Sequence, residues 1–577
     1  MRVAKITLFS TTFLLLTCFI VWYVTQEQYI YFWDFETYHR FYRELGTHFR
    51  KSPFTAINSV GASIREHDYN MLPTLFLMPF YFSVGSSRLA YIASIAILFA
   101  FPAIALFARV MRELQVKNTN EKETDSLVLL FIAIVVISLA PQFWAPVLLG
   151  YVDVVGLNVI FILFILYFRK NLAEQTFWNM IALGLLLSLL VLLRRWYVYW
   201  VVGFLFAMLV TAYERDAIDK RRLHLGNVVL VGGTAILSFF ALATPVATRM
   251  LTTDYRDIYS AYRGSDTLWF HLVNLSHQYG LLFLATAVLG LIKMATTGGR
   301  KQVALFLAVQ FGVTFLLFTR TQLLDIHHYY WVSSILFILS AFFWQEMYAQ
   351  LRGNLSKGTL VSALTVIYIL NFLIVFHHQW GNALDPTNVV FPQLRRYPLQ
   401  RKDLDQVHHL LLTLEDLTRN SDSHVYVLSS SFILNGSIVK SGCYSFESSL
   451  AELEQKIMDT HDVDKRDGLP VHFFKAQYVI VSDPVGYHLA PQDQRVIGIL
   501  AEQLLKGEQI GQAYEKLPFV FALANGSNVY IYKKNKNFDP AALQHLSNMF
   551  VELYPSYREK FALTPETIRT LSDDNAL

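Results

Sequence analysis

Two carboxylates stand two residues apart inside an aromatic word, Tyr31-Phe-Trp-Asp34-Phe-Glu36-Thr-Tyr38-His39. Either acid could take a proton from a hydroxyl or amine nucleophile. In a helix the spacing sends Asp34 and Glu36 to different faces and different tasks, whereas in a strand they share one face. A second word, Arg194-Arg195-Trp196-Tyr197-Val198-Tyr199-Trp200, sets two guanidinium groups between apolar runs. At a bilayer centre each would cost roughly 2.5–3.5 kcal/mol, so they must sit at an interface or line a polar cavity, where an anion is the natural partner. Arginine's planar fork suits a phosphate, and the rings of Trp196 and Tyr197 offer flat faces to a sugar or a lipid chain. A third cluster, Thr319-Arg320-Thr-Gln322-Leu-Leu-Asp325-Ile-His327-His328-Tyr329-Tyr330-Trp331, brings His, Arg and Asp to the mouth of an apolar run. Adjacent histidines without a third ligand at regular spacing point to a phosphate or hydroxyl contact rather than zinc. Gly150-Tyr151-Val152-Asp153 opens an otherwise apolar helix with an acid, which would also serve as a cap. Arg65-Glu66-His67-Asp68-Tyr69-Asn70-Met71-Leu72-Pro73 leads polar residues into another apolar stretch. The plainer readings are an interfacial aromatic belt with solvated acids, snorkelling arginine anchors and an ordinary helix cap; His377-His378 and His408-His409 are read as surface or turn doublets.

The elements that must position these residues are membrane helices. Of 577 residues, 54% are hydrophobic and only 16% charged, far from the balance of a soluble chain of this length. Apolar runs fall at about 6–24, 88–110, 126–141, 153–168, 177–193, 196–213, 227–247, 279–296, 302–318, 330–348 and 358–376, each close to the length that crosses a hydrocarbon core, and they predict about eleven transmembrane helices. The first, with Arg2 and Lys5 before it and no small-residue cleavage site, is read as an uncleaved span. If Arg2 and Lys5 stay in the cytoplasm, so do Arg109/Arg112/Lys117/Lys122, Arg169/Lys170, Arg215/Lys220/Arg221/Arg222, Lys293/Arg300/Lys301 and Arg352/Lys357, as the positive-inside rule requires. Loop 25–87, the Thr248–Gln278 loop and everything after Phe376 then face outward. Met71–Val84, broken by Pro73 and Pro79, is read as an interfacial helix. From residue 377 the chain turns polar past the turn clusters Gly381-Asn382 and Asp385-Pro386. Strand-like His424–Ser430, Tyr478–Ser482 and Val529–Lys533 alternate there with helical patterns, which predicts an extracytoplasmic α/β domain over 377–577 behind a transmembrane domain over 1–376. A net charge of +4, with its cations beside the spans, gives no reason to expect a nucleic-acid partner. Cys18 and Cys443, one in the first span and one far down the tail, are not expected to pair.

Taken in order, these motifs resemble the GT-C class of integral-membrane glycosyltransferases, in particular the polyprenyl-phosphate-sugar-dependent branch with the protein O-mannosyltransferases and the lipid A aminoarabinose transferase. The resemblance rests on four features: Asp34-Phe-Glu36-Thr-Tyr38 after the first helix, His67-Asp68-Tyr69-Asn70-Met-Leu-Pro73 followed by Ser87-Arg88-Leu89-Ala90-Tyr91, Gly-Tyr-Val-Asp153, and His328-Tyr-Tyr-Trp331. It implies an enzyme that moves a monosaccharide from a polyprenyl-phosphate donor to a lipid, glycan or protein acceptor, by inversion, on the outer face of what the family branch and modest outer domain make a bacterial inner membrane. It implies Asp34, Glu36 and Asp153 as catalytic residues, Arg194, Arg195, Arg65, Arg320 and His328 as donor-phosphate ligands, and Tyr38, His67, Asp68, Trp196, Tyr197 and Tyr329 as lining. Phe35 separates the acids that are usually adjacent in the family, and Asp34 is taken as the base. No lysine stands in His67–Pro73, which shifts the phosphate contact to Arg65, Arg194 or Arg195. The acid-rich loop could hold a divalent cation, as in some relatives; no nucleotide or organic cofactor is expected. The rival readings are a secondary transporter or lipid flippase, which would carry inverted repeats and charges at span centres, and a non-catalytic assembly component whose outer domain does the work.

Overall fold

The computed structural model describes residues 2–115, 123–169, 172–215, 218–262, 267–384, 389–446 and 450–572; Lys117, Lys122, Lys170, Asp385-Pro386 and the last five residues lie outside them. The backbone divides into two compact units, Met1–Glu27, Thr37–Thr253 and Ser265–Pro398 in the first, and Gln28–Glu36, Asp254–Gly264 and Leu399–Leu577 in the second. The boundary read from composition at 376/377 falls earlier than 398/399. Two short pieces of the loops that the charge bias was read to place outside also belong to the second unit.

Among the described residues the regular elements of the first unit are all helices, because a chain in lipid must satisfy its own backbone groups within each segment. Among the described residues seven helices are long and apolar enough to cross a membrane, and nine spans result if each of two bent pairs counts as one; Val154–Arg169 and Phe177–Leu193 are shorter apolar helices. The chain is an integral, multi-pass membrane protein. Departures from straight helix have local causes. Pro102 cannot donate, and the turn before it relaxes into a π segment, Ala96–Ala100, where Asn158 Nδ2 donates to the Phe99 carbonyl at 3.0 Å. Leu268–Tyr279 and Leu281–Thr296 meet at 107°. Gly280 makes that corner at φ +76°, and a Cβ there would lie 2.6 Å from the Val390 carbonyl oxygen. The N–H groups of Leu281 and Leu282 donate to the carbonyls of Val389 and Val390 at 3.0 and 3.1 Å, which satisfies the opened helix start. The loop after the first helix is itself helical, with Asp34–Lys51 and Pro53–Glu66. The expected interfacial helix over 71–84 is two short ones, Leu72–Leu75 and Met78–Val84, each carrying its proline in the first turn.

The second unit holds a mixed sheet in the order β1-β2-β4-β3, with β1 (Val425–Leu428) parallel to β2 (Tyr478–Asp483), and β4 (Asn528–Lys534) antiparallel to both β2 and β3 (Tyr514–Ala522). Three of the strands are those expected from alternation. β3 was not expected: it carries Pro518, and its register with β4 shifts between Lys516 and Val520, which a proline tolerates on an edge strand. Alternate residues face two cores. Val425, Val427, Ile480, Val529 and Ile531 pack with Leu410, Leu411, Leu414 and Ile438, whereas Tyr426, Leu428, Val479 and Val481 pack with Leu500, Leu504, Leu543 and Phe550. Ile30 and Phe32 are buried in the former core, which is why the start of the first loop belongs to this unit.

Candidate active site

In the first unit Asp153 is fully buried one residue before the Val154–Arg169 helix. Arg194, which caps the C-terminus of Phe177–Leu193, is 4% exposed and donates through Nε to Asp153 Oδ1 at 2.8 Å. The same oxygen accepts from Trp196 Nε1 at 3.0 Å, and the Asp153 carbonyl accepts from Tyr197 OH at 3.0 Å. Asp153 Oδ2 is buried without a hydrogen-bond partner among the described residues. Arg194 also donates through Nη1 to Tyr38 OH at 2.5 Å, and its guanidinium lies over the Tyr38 and Tyr69 rings at 5.1 and 4.8 Å. A Cβ on Gly156 would fall 2.3 Å from the Tyr197 ring, so only glycine lets the helix approach that ring.

Arg195, next in sequence, pairs with Asp68, which also accepts from Arg249 at 3.3 Å. Arg194, Arg195 and Arg249 thus have Asp153 and Asp68 among their partners. His328 closes the group: its ring lies 5.3 Å from Trp196, and its Nδ1 accepts from the Asp325 backbone N–H at 3.1 Å. Burial, then His327 and the Arg194 and Arg195 charges, hold its imidazole well below the usual histidine range. The ring is therefore neutral with its proton on Nε2, a single donor rather than a cation. Its neighbour His327 stacks on Tyr151 at 4.3 Å.

The structure brings Tyr38, Asp153, Arg194, Trp196, Tyr197 and His328 together, with Arg195 and Asp68 beside them. Arg65 and His67 are exposed at the C-terminal end of Pro53–Glu66, and Arg320 is exposed at the end of Lys301–Thr319. Tyr329 is buried, and its carbonyl accepts from Tyr279 OH at 3.3 Å. Asp34 and Glu36 lie in the first turn of Asp34–Lys51, in the segment that belongs to the second unit; the helical alternative holds, and the two acids point to different faces. Two site residues were not singled out from sequence, Tyr69 and Arg249. Arg249 carried the signal that marked Arg194, a cation at the end of an apolar run that the charge bias was read to place outside. Among the described residues no group of three or more His, Cys, Asp or Glu side chains could hold a metal ion.

No family model matches the chain, and no curated protein matches it in sequence. Among solved structures it is similar to ArnT from Cupriavidus metallidurans in the apo state, with a TM-score of 0.51 and 12% identity over 90% of this chain and 98% of that one. ArnT bound to undecaprenyl phosphate gives a TM-score of 0.49 and 12% identity over 90% and 97% of the two chains. The Archaeoglobus fulgidus oligosaccharyltransferase in complex with zinc and sulfate gives 0.40 and 12% over 80% and 64%. The chain shares its fold with ArnT over nine-tenths of its length, as the resemblance carried by its motifs implied.

Proposed function

We propose that the chain is a membrane glycosyltransferase that moves a monosaccharide from a polyprenyl-phosphate donor to a lipid, glycan or protein acceptor, with inversion, at the outer face of a bacterial inner membrane. The observation that carries this reading is the cluster of Arg194, Arg195 and Arg249 against Asp153 and Asp68 at the ends of apolar helices. Guanidinium groups beside the Tyr38, Tyr69 and Trp196 rings suit a phosphate on an apolar chain. The fold supports the same reading, since ArnT, which shares it, has been crystallised with undecaprenyl phosphate.

In this mechanism the acceptor oxygen or nitrogen forms its bond to the anomeric carbon as the bond from that carbon to the phosphate oxygen breaks. The electron pair leaves with the polyprenyl phosphate, already a stable anion, so no general acid is needed. Arg195 and Arg249 stabilise the charge that grows on the leaving phosphate, and Arg194, oriented by Asp153, completes the field from a buried position. Asp34 takes the acceptor proton. Incubating the purified protein with a labelled polyprenyl-phosphate sugar and a membrane lipid extract should release unlabelled polyprenyl phosphate and place label on an extract component. Label that moves only across intact vesicles, without cleavage of the donor, would instead identify a transporter or flippase.

A further inference from the structure

In the second unit the carboxyl ends of β1 and β2, neighbouring parallel strands, open into loops 429–435 and 484–494. Ligands of open α/β sheets bind at such ends. A polar network ties the loops together. Ser430 Oγ donates to Asp462 Oδ1 at 2.7 Å, and His488 Nδ1 lies 3.1 Å from the Ser430 carbonyl oxygen and 2.9 Å from its hydroxyl. Tyr262 OH is 3.0 Å from His488 Nε2. Burial pushes the His488 imidazole down to about 4, so the ring is neutral at neutral pH, donating at Nδ1 and accepting at Nε2.

An aromatic corner stands over this network. The Trp33 ring lies 4.5 Å from His488 and 5.6 Å from Phe432 at 72°, and Phe432 lies 6.4 Å from His488. Phe432 is 55% exposed and Trp33 partly exposed. Trp33 takes φ +46°, a left-handed conformation that is strained for a bulky residue and that persists at ligand clamps. It is held there by its N–H bond to Ser437 Oγ at 2.9 Å and by the buried rings and chains of Phe32 and Ile30 on its N-terminal side. On the rim, Arg466 is 40% exposed, forked onto Asp467 and 3.7 Å from Asp462.

Flat rings beside a carboxylate and a guanidinium match a pyranose, whose C–H face stacks on aromatics while its hydroxyls pair with planar polar groups. An anionic headgroup fits worse, because Arg466 is already neutralised by Asp467 and Asp462 adds negative charge. We propose that the corner formed by Trp33, Phe432 and His488, rimmed by Asp462 and Arg466, is a pyranose-binding site that receives a sugar of the acceptor. The assignment to an acceptor rests on the transferase reading, in which Asp34, the residue after Trp33, takes the proton.

The test is saturation-transfer NMR on the full-length protein in lipid nanodiscs, with methyl glucopyranoside, methyl mannopyranoside and methyl 2-acetamido-2-deoxyglucopyranoside as probes and sorbitol and a Ser/Thr-rich peptide as controls. At least one pyranoside should receive saturation on the C–H protons of one ring face. Phe432→Ala should weaken its binding about three- to tenfold, and Phe432→Tyr, which keeps the flat ring, should restore it. Because Phe432 is exposed, equal melting temperatures for the variants are expected and separate lost binding from lost folding. Equal signals for wild type and Phe432→Ala, signals from no pyranoside, or a peptide that displaces the sugar would each overturn the site. Donor turnover without pyranoside binding rejects the site and leaves the transferase reading standing, whereas pyranoside binding in a protein that consumes no donor rejects the acceptor role.

Discussion

Arg194 and Arg195 are neighbours in the chain with unlike surroundings, 4% and 19% exposed at the side chain. Removing Arg194 leaves the Asp153 charge buried and uncompensated, so Arg194→Ala should cost about 3–5 kcal/mol and lower the melting temperature in nanodiscs together with activity. Arg195→Ala breaks a partly exposed pair worth about 1 kcal/mol or less; it should leave melting nearly unchanged while raising the KM for the polyprenyl donor. If both variants keep normal donor use, the guanidinium cluster is not the phosphate seat. Asp34→Asn should lower turnover by about 10²–10⁴ without loss of folded protein, and Glu36→Gln, assayed beside it, tells which acid is the base. The residue types were legible in sequence because a cation or acid beside an apolar run stands out against the charge bias. Their pairing was not: Asp153 and Arg194 lie 41 positions apart, and nothing periodic links them.

At the scale of elements, close approach decides more than propensity. Gly156→Ala drives a methyl into the Tyr197 ring and should cost about 1–3 kcal/mol, read as a lower melting temperature with a weaker site, since Tyr197 and its neighbour Trp196 both bond to Asp153. Unchanged melting and activity would show that the helix can shift freely. The loops at the ends of β1 and β2 carry a pH dependence through His488, which faces Tyr262, Arg466 and Asp467, with Asp462 behind Ser430. Its folded value of about 4 lies below the ordinary histidine value, so between the two the unfolded chain binds more protons. Stability from this group is complete above about pH 6.5 and is lost as pH falls toward 4. Melting curves of the full chain at pH 5 and 7.5 should differ more for wild type than for His488→Gln; equal differences would show that His488 does not titrate in that window. Elements with a clean period were legible, among them β1, β2, β4 and the apolar helices. β3 was hidden by Pro518 and its irregular register, and the corner at Gly280 by glycine's silence about which φ it will take.

For the whole molecule, the charge bias predicts sidedness. In a background with Cys18→Ser and Cys443→Ser, His67→Cys should react with a membrane-impermeant maleimide in intact cells, and Gly298→Cys, exposed near Lys293 and Arg300, only after permeabilisation. The exchanged pattern would reverse the proposed orientation, and labelling of both from one side would overturn the topology. The amino-acid sequence by itself determined that this is a helical membrane protein with a polar α/β part, because apolar length and period are local properties that each segment satisfies with its own backbone. Only the tertiary structure decided that Gln28–Glu36 and Asp254–Gly264 join the second unit, that Arg249 shares Asp68 with Arg195, and that Trp33 meets Phe432 and His488. Those outcomes depend on distances between segments remote in the chain, set by how side chains fill the space between helices and on the two faces of a sheet, and no local pattern encodes them.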